Sequence, residues 1–429
     1  MKLILIVILT ILSWFARSYS EMKGLDGADN GTLVLGLLLV SALVVGKGMR
    51  RINIPMLSGF ILYGIIAGPY VLNIITVRDL EMLRFTDFFA LSLIAITAGG
   101  ELRIQNIRKQ LSLYLSITLG QFFLISIFTL ISVFIASQYL EQFSMLDMKV
   151  IFIIGLVLAV ILVANSPATA IAIIKEQGAR GKNTDLLLGV AVFKDIFIIL
   201  IFAVTMAVSA SLLNTGSSDG GIWMTGLLIG SHIFYSILIG IALGILLILG
   251  IKYFKYNLTM IIVLAAVSVY IFVQQLHLEA MLTCMVAGFT VQNFSQHGED
   301  LIQSTERSSM PFYIIFFTLA GVKLDFGILA ETWPIALSLV ALRIIFMMIS
   351  TSLSVRFAGG SKDTRDYLWM GYLAQAGVSL GLVSIFQENF STAWANEIAT
   401  ILIAVIAVNQ IIGPIMLKLS LQKLKEIPK

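Results

Sequence analysis

The sequence predicts an all-α protein that crosses a membrane many times, and three observations carry that prediction. Of its 429 residues, 59% are hydrophobic and only 12% are charged, about half the ~25% of charged residues usual in soluble domains. Thirteen apolar segments are separated by short polar loops, and most are long enough to cross a ~30 Å hydrocarbon layer as helices. Lys and Arg collect in alternate loops, the asymmetry that orients membrane proteins. A net charge of +4 spread over those loops gives no basic patch for nucleic acid. Cys284 is the only cysteine, so no intrachain disulfide is possible, and His232, His277 and His297 are too far apart in sequence to suggest a metal site. Neither a cofactor nor a resident metal is expected.

Residues 1–20 carry Lys2, an apolar stretch from Leu3 to Phe15, and small residues around Ser18 and Ser20. This stretch is short for a span, and it is expected to be a cleaved signal peptide, with an extra N-terminal helix as the alternative. Residues 21–31 are polar and read as an exposed tail, and residues 32–429 form the transmembrane domain. Its apolar segments run at about 32–49, 54–75, 87–102, 110–137, 149–175, 184–213, 222–251, 258–276, 279–295, 308–326, 332–355, 366–387 and 393–417. One set of loops holds Lys47, Arg50, Arg51, Arg103, Arg108, Lys109, Lys175, Arg180, Lys182, Lys252, Lys255, Arg307, Arg356, Lys362, Arg365 and the C-terminal lysines; the other holds only Lys23, Arg78, Arg84, Lys149 and Lys323. The positive-inside rule therefore places the mature N-terminus outside and the C-terminus in the cytoplasm.

The first six segments echo the last six, with the seventh left as a linker. ITAGGELRIQNI of the third resembles FTLAGVKLDFGI of the tenth, and AVFKDI of the sixth falls opposite AVNQII of the thirteenth. Six segments plus a linker make an odd number, so the second copy enters from the opposite side. An inverted repeat of this kind points to alternating-access transport, with the binding site where the halves meet.

The sixth segment carries Lys194 and Asp195 near its middle. At ~1.5 Å per residue, Asp195 lies about 16 Å in from the Thr184 end, close to the midplane. An ionised side chain costs roughly 2.5–3.5 kcal/mol there, so such a pair reads as an ion or proton site facing a polar cavity. Adjacent helical residues point ~100° apart, and only the flexible lysine stem could bring its amine to the same cavity as Asp195. The alternative is a lysine that faces the interior and pairs with carbonyl groups for stability alone.

Two further segments are interrupted at matching depth. The fifth breaks at Asn165, Ser166 and Pro167, where proline cannot donate to the helix ladder. The twelfth has Gln375, Ala376 and Gly377. Free carbonyls at such breaks are ready cation ligands and must line a cavity or be buried in protein. Asn165, Ser166 and Thr169 are accordingly candidate ligands beside Asp195. Arg343 lies about 13.5 Å into the eleventh segment, too deep to snorkel, and should pair with Asp195 or with the carbonyls at the breaks.

Taken together, IPMLSGFILYGIIAGP, ANSPATAIAIIKEQG, GVAVFKDI, PFYIIFFTLAGVKLD, Arg343 and AQAGVSLGLVS resemble the bacterial monovalent cation/proton antiporters, which include sodium/proton exchangers and Kef-type potassium/proton exchangers. The resemblance implies a thirteen-helix fold. In it, a six-helix core, here about 87–213 and 308–417, holds two crossed broken helices and moves against a dimerisation domain in a homodimer. It also implies that Asp195 binds cation and proton in turn, while Arg343, with Pro167, Gln375 and Gly377, supports the core. The family has Asp, Asn or Gln where this chain has Lys194, which puts ion and stoichiometry in question.

The expected function is thus secondary active exchange of a monovalent cation, Na⁺ favoured, for H⁺ in the cell (inner) membrane. The alternatives are a Kef-type K⁺/H⁺ antiporter without a regulatory domain, an anion carrier drawing on Lys194 and Arg343, and a non-transporting pH sensor. No nucleophile and base constellation suggests an enzyme.

Overall fold

A computed structural model of the chain describes residues 28–76, 79–80, 83–139, 143, 146–213, 221–253, 280–323, 326–375, 377–390 and 392–428. The expected signal peptide, the eighth apolar segment (258–276), Ala376 and Asp325 lie outside the described residues. Among the described residues every regular element is helical. In chain order these are α1 (Ala28–Arg51), α2 (Met56–Ala67), α3 (Arg84–Glu101), α4 (Ile104–Lys109), α5 (Leu111–Tyr139), α6 (Met148–Val163), α7 (Pro167–Gln177) and α8 (Lys182–Leu212). There follow α9 (Gly221–Tyr253), α10 (Ala280–Phe294), α11 (Gly298–Val322), α12 (Phe326–Phe357), α13 (Lys362–Tyr367), a 3₁₀ turn (Leu368–Tyr372), α14 (Gly377–Asn389) and α15 (Ala393–Lys423).

Six of the described spans are long and apolar enough to cross a membrane: Leu111–Tyr139, Met148–Gln177 taken across its break, Lys182–Leu212, Gly230–Tyr253, Thr332–Phe357 and Ala393–Lys423. The chain is a multi-pass membrane protein.

Contacts divide the chain into two compact units. The first comprises Met1–Glu101, Ile171–Glu176 and Ile239–Gly327. Its helices approach closely through paired glycines. A Cβ on Gly64 of α2 would meet the Thr318 carbonyl of α11, and one on Gly321 of α11 would meet the Ile61 carbonyl of α2. Gly99 of α3 and Gly288 of α10 are related in the same way through the Met285 and Ile96 carbonyls. Small residues let apolar helices pack backbone to backbone where lipid supplies no hydrophobic drive. The Glu176 carboxylate caps α2, accepting the Met56 amide at 2.8 and 3.0 Å. That supplies an acceptor to the first turn of a helix preceded by Pro55, which offers no capping side chain.

The second unit comprises Leu102–Ala170, Gln177–Leu238 and Ile328–Lys429. Here α6 packs on α5, α8, α14 and α15, and the 3₁₀ turn packs on α8, α13 and α15. Hydropathy alone suggests one apolar segment over 366–387, but the chain forms the short α13, the 3₁₀ turn and an extended stretch at 373–375 before α14 begins. At the far end of the chain, the half-buried Glu426 caps α8. Its carboxylate accepts from the Asn183 amide and Nδ2, both at 2.9 Å, and from the Thr184 amide and hydroxyl, both at 2.6 Å. The positive end of α8 is thereby met by a carboxylate 243 residues away from Asn183.

Candidate functional site

Asn165, Ser166, Pro167, Thr169, Lys194, Asp195, Arg343, Gln375 and Gly377 all fall within the second unit. The α6 helix stops at Val163, residues 164–166 are non-helical, and α7 restarts at Pro167. Proline suits the first helical position because its missing N–H would have no partner there. Ser166 supplies the cap: its Oγ accepts the Thr169 amide at 3.1 Å and the Thr169 hydroxyl at 3.0 Å. The second interruption runs through Leu373, Ala374 and Gln375, and Gly377 is the first residue of α14.

The two interruptions are bonded to each other directly. The Ser166 amide donates to the Ala374 carbonyl at 2.8 Å. Gln375 Nε2 donates to the Ile161 carbonyl at 2.7 Å, and its Oε1 accepts from Asn409 Nδ2 of α15 at 2.8 Å.

Arg343 of α12, with no solvent exposure, completes the junction. It donates to Leu162 and Ala164 at 2.9 and 2.7 Å, and to Leu373 and Tyr372 at 2.7 and 3.2 Å. Two carbonyls come from the chain at each interruption, with Leu162 and Tyr372 the helical residues that lead into it. Of the two partners expected for this arginine, its hydrogen bonds take the carbonyls. A planar guanidinium has five donors in a fixed fork, enough for four carbonyls at once, whereas a lysine ammonium has only three.

Lys194 and Asp195 are both buried on α8, at 1% and 4% exposure. The Lys194 amine donates to Gln121 Oε1 of α5 at 2.8 Å and lies 5.3 Å from the centre of the Tyr372 ring. Gln121 in turn donates from Nε2 to Thr351 Oγ1 of α12 at 2.6 Å. The amine's acceptor is thus a side-chain carbonyl of a neighbouring helix. Asn165 Oδ1, the Tyr372 hydroxyl and Gln410 Oε1 are fully buried without a hydrogen-bond partner among the described residues.

Sequence reasoning did not single out Gln121, Thr351 or Asn409. The available signal was an amide in an otherwise apolar run, alone in LGQFFLIS for Gln121 and beside Gln410 in AVNQII for Asn409. A buried amide must find partners, but nothing local says which.

The sodium/hydrogen exchanger transmembrane family model matches residues 4–423. The chain belongs to this family. Among similar curated proteins, the probable Na⁺/H⁺ antiporter 3 of Methanocaldococcus jannaschii is 24% identical over 392 residues, covering 90% of this chain and 95% of that one. The Na⁺/H⁺ antiporter of Enterococcus hirae is 22% identical, covering 90% and 96%. The Na⁺/H⁺-K⁺ antiporter GerN of Bacillus cereus is 21% identical, covering 90% and 94%. Of solved structures, the sodium proton antiporter MjNhaP1 of M. jannaschii shares the fold with a TM-score of 0.71 at 17% identity, over 92% of this chain and 98% of that one. Its structure at pH 8 gives a TM-score of 0.64 at 16% identity, over 93% and 99%. The relatives of this sodium/hydrogen exchanger family member are thus transporters and not enzymes.

Proposed function

We propose that this protein exchanges a monovalent cation, with Na⁺ favoured, for H⁺ by alternating access at Asp195. The observation that carries the proposal is a buried carboxylate on apolar α8, in the same unit as two chain interruptions that are pinned together. Family membership supports the cation and proton as substrates. In the mechanism, proton and partly dehydrated cation compete for the Asp195 carboxylate. Asn165 Oδ1, buried with no hydrogen-bond partner among the described residues, supplies an oxygen to the cation, and Ser166 and Thr169 lie within a turn of it. The core rearranges when the acid is neutralised, because an empty charged site is costly to carry through the apolar barrier.

In this proposal the thirteen helices form two inverted six-helix repeats around a linker, α9. The interruptions belong to two crossed broken helices. The moving core takes in about 87–213 and 308–417, and the remaining helices serve the linker and a homodimer. The N-terminus faces outward and the C-terminus the cytoplasm of the cell (inner) membrane. A K⁺-coupled reading draws on the similarity to the Na⁺/H⁺-K⁺ antiporter GerN.

The test is proton flux in proteoliposomes driven by Na⁺ or K⁺ gradients. Native protein should show cation-stimulated flux, and Asp195→Asn, which keeps the shape and removes the acid, should abolish it. Retained flux in that variant would overturn the mechanism.

A further inference from the structure

Lys194 and Asp195 are neighbours on one helix and both are buried, yet they serve an exchanger badly if they bind each other. An ammonium on the Asp195 carboxylate would occupy the group that a cation must reach. The side chain that accepts from the lysine comes from a different helix. Gln121, with no solvent exposure, accepts from the Lys194 amine at 2.8 Å. Lysine offers only donors, so the glutamine must present its oxygen to it, which turns the amide nitrogen the other way. That nitrogen meets the hydroxyl of Thr351, also fully buried, at 2.6 Å. The relay fixes the amide plane from both ends, and the face of Tyr372 covers the amine. The amine's acceptor, its backstop and its aromatic cover thus come from α5, α12 and the 3₁₀ turn.

We propose that Gln121 is a positioning residue. Backed by Thr351, it holds the Lys194 amine away from the exchange site, so that the lysine does not compete with the cation for Asp195. This rests on the reading of Asp195 as the exchange site. Without the acceptor, the flexible four-carbon stem is released in an apolar interior, and the acid next to it in sequence becomes its partner. Cation then has to displace an internal ammonium. Apparent affinity falls, while the rate at saturating cation, once the competitor is displaced, stays close to native.

The experiment compares native protein, Gln121→Leu, Lys194→Met and the double variant in proteoliposomes, titrating Na⁺ at fixed pH and zero potential. Gln121→Leu should raise the KM for Na⁺ about tenfold, the scale of one hydrogen bond to a charged group, with the maximal rate within about twofold of native. The double variant should show the KM of Lys194→Met alone, because no amine remains to compete. A native KM in Gln121→Leu, or the same rise in KM on the Lys194→Met background, overturns the proposal, the second by showing a merely structural role. Should Gln121→Leu not fold, Thr351→Val and Gln121→Glu decide. The first loosens the amide and should raise the KM; the second keeps an acceptor and should not, and the reverse order overturns the proposal. Absence of Na⁺-stimulated flux in the native protein would instead overturn the exchange reading itself. With that flux intact, the pattern of KM values judges Gln121 alone.

Discussion

The Ser166 amide donates to the Ala374 carbonyl at 2.8 Å, so two interruptions more than 200 residues apart in sequence share a backbone hydrogen bond. A non-helical backbone at membrane depth is tolerated only if its polar groups are satisfied within protein or face a cavity. Here each interruption satisfies part of the other, and Arg343 bonds to two carbonyls of each.

Replacing that arginine should accordingly cost more than one hydrogen bond. Arg343→Leu leaves four carbonyls without their donor, and the expected loss is roughly 3 kcal/mol or more. Arg343→Lys keeps the charge but cannot span both interruptions, and should recover only a minor part. Thermal denaturation of the purified variants checks this, and a native melting temperature for Arg343→Leu would contradict the junction's role.

Coupling to membrane potential gives a second prediction. With one exchangeable acid at the site, exchange should be electroneutral and insensitive to voltage. Lys194→Asp introduces a second titrating acid and should make the flux respond to potential, since ~2.3 kcal/mol per charge per 100 mV then becomes available. Lys194→Asn should stay electroneutral. Proton flux at clamped potentials is the measurement, and strong voltage dependence in the native protein would count against the assignment.

In the first unit, Gly288 packs against the Ile96 carbonyl of α3 so closely that a Cβ has no room, and backbone cannot swing aside as a side chain can. Gly288→Val should overpack this contact and cost about 1–3 kcal/mol. Lower yield of monodisperse protein and a lower melting temperature are the expected readouts.

Glu426 offers a prediction about the start of α8. Glu426→Ala removes an anion from the helix N-terminus and the acceptor of four hydrogen bonds, and should loosen the first turn by about 1–2 kcal/mol. Hydrogen exchange should quicken at Asn183 and Thr184, while the middle of α8 stays protected. Equal protection in both proteins would show that the cap is dispensable.

The residues legible in the sequence were those that break a local rule. A carboxylate in an apolar run, an arginine too deep to snorkel, and a proline inside an apparent helix each announce themselves, because the bilayer makes them expensive. Their partners were not legible. Nothing near Gln121 indicates that its amide meets Lys194, and nothing near Glu426 indicates that it caps a helix 243 residues away from it. Hydropathy also cannot distinguish a 3₁₀ turn from an α-helix, which hid the true start of the second interruption. The sequence reading offered the carbonyls at the interruptions both to a cation and to Arg343, without saying how many each would take; those of Leu162, Ala164, Tyr372 and Leu373 differ from free ligands in that they accept from Arg343.

That last difference bears on how the exchanger could change its ion. With those four carbonyls committed to Arg343, Ile161's to Gln375 and Ala374's to Ser166, most of the backbone oxygen at the junction is already spoken for by the scaffold. A cation held beside Asp195 would then be sized chiefly by side-chain oxygens such as that of Asn165. Ring-like filters of backbone carbonyls are nearly immune to point mutation, because every residue type carries the same carbonyl. A shell drawn from side chains is open to it. Discrimination between sodium and potassium would therefore be a trait that single substitutions at Asn165 or Thr169 can shift while the pinned scaffold is inherited unchanged, so that relatives with one architecture can diverge in the ion they carry.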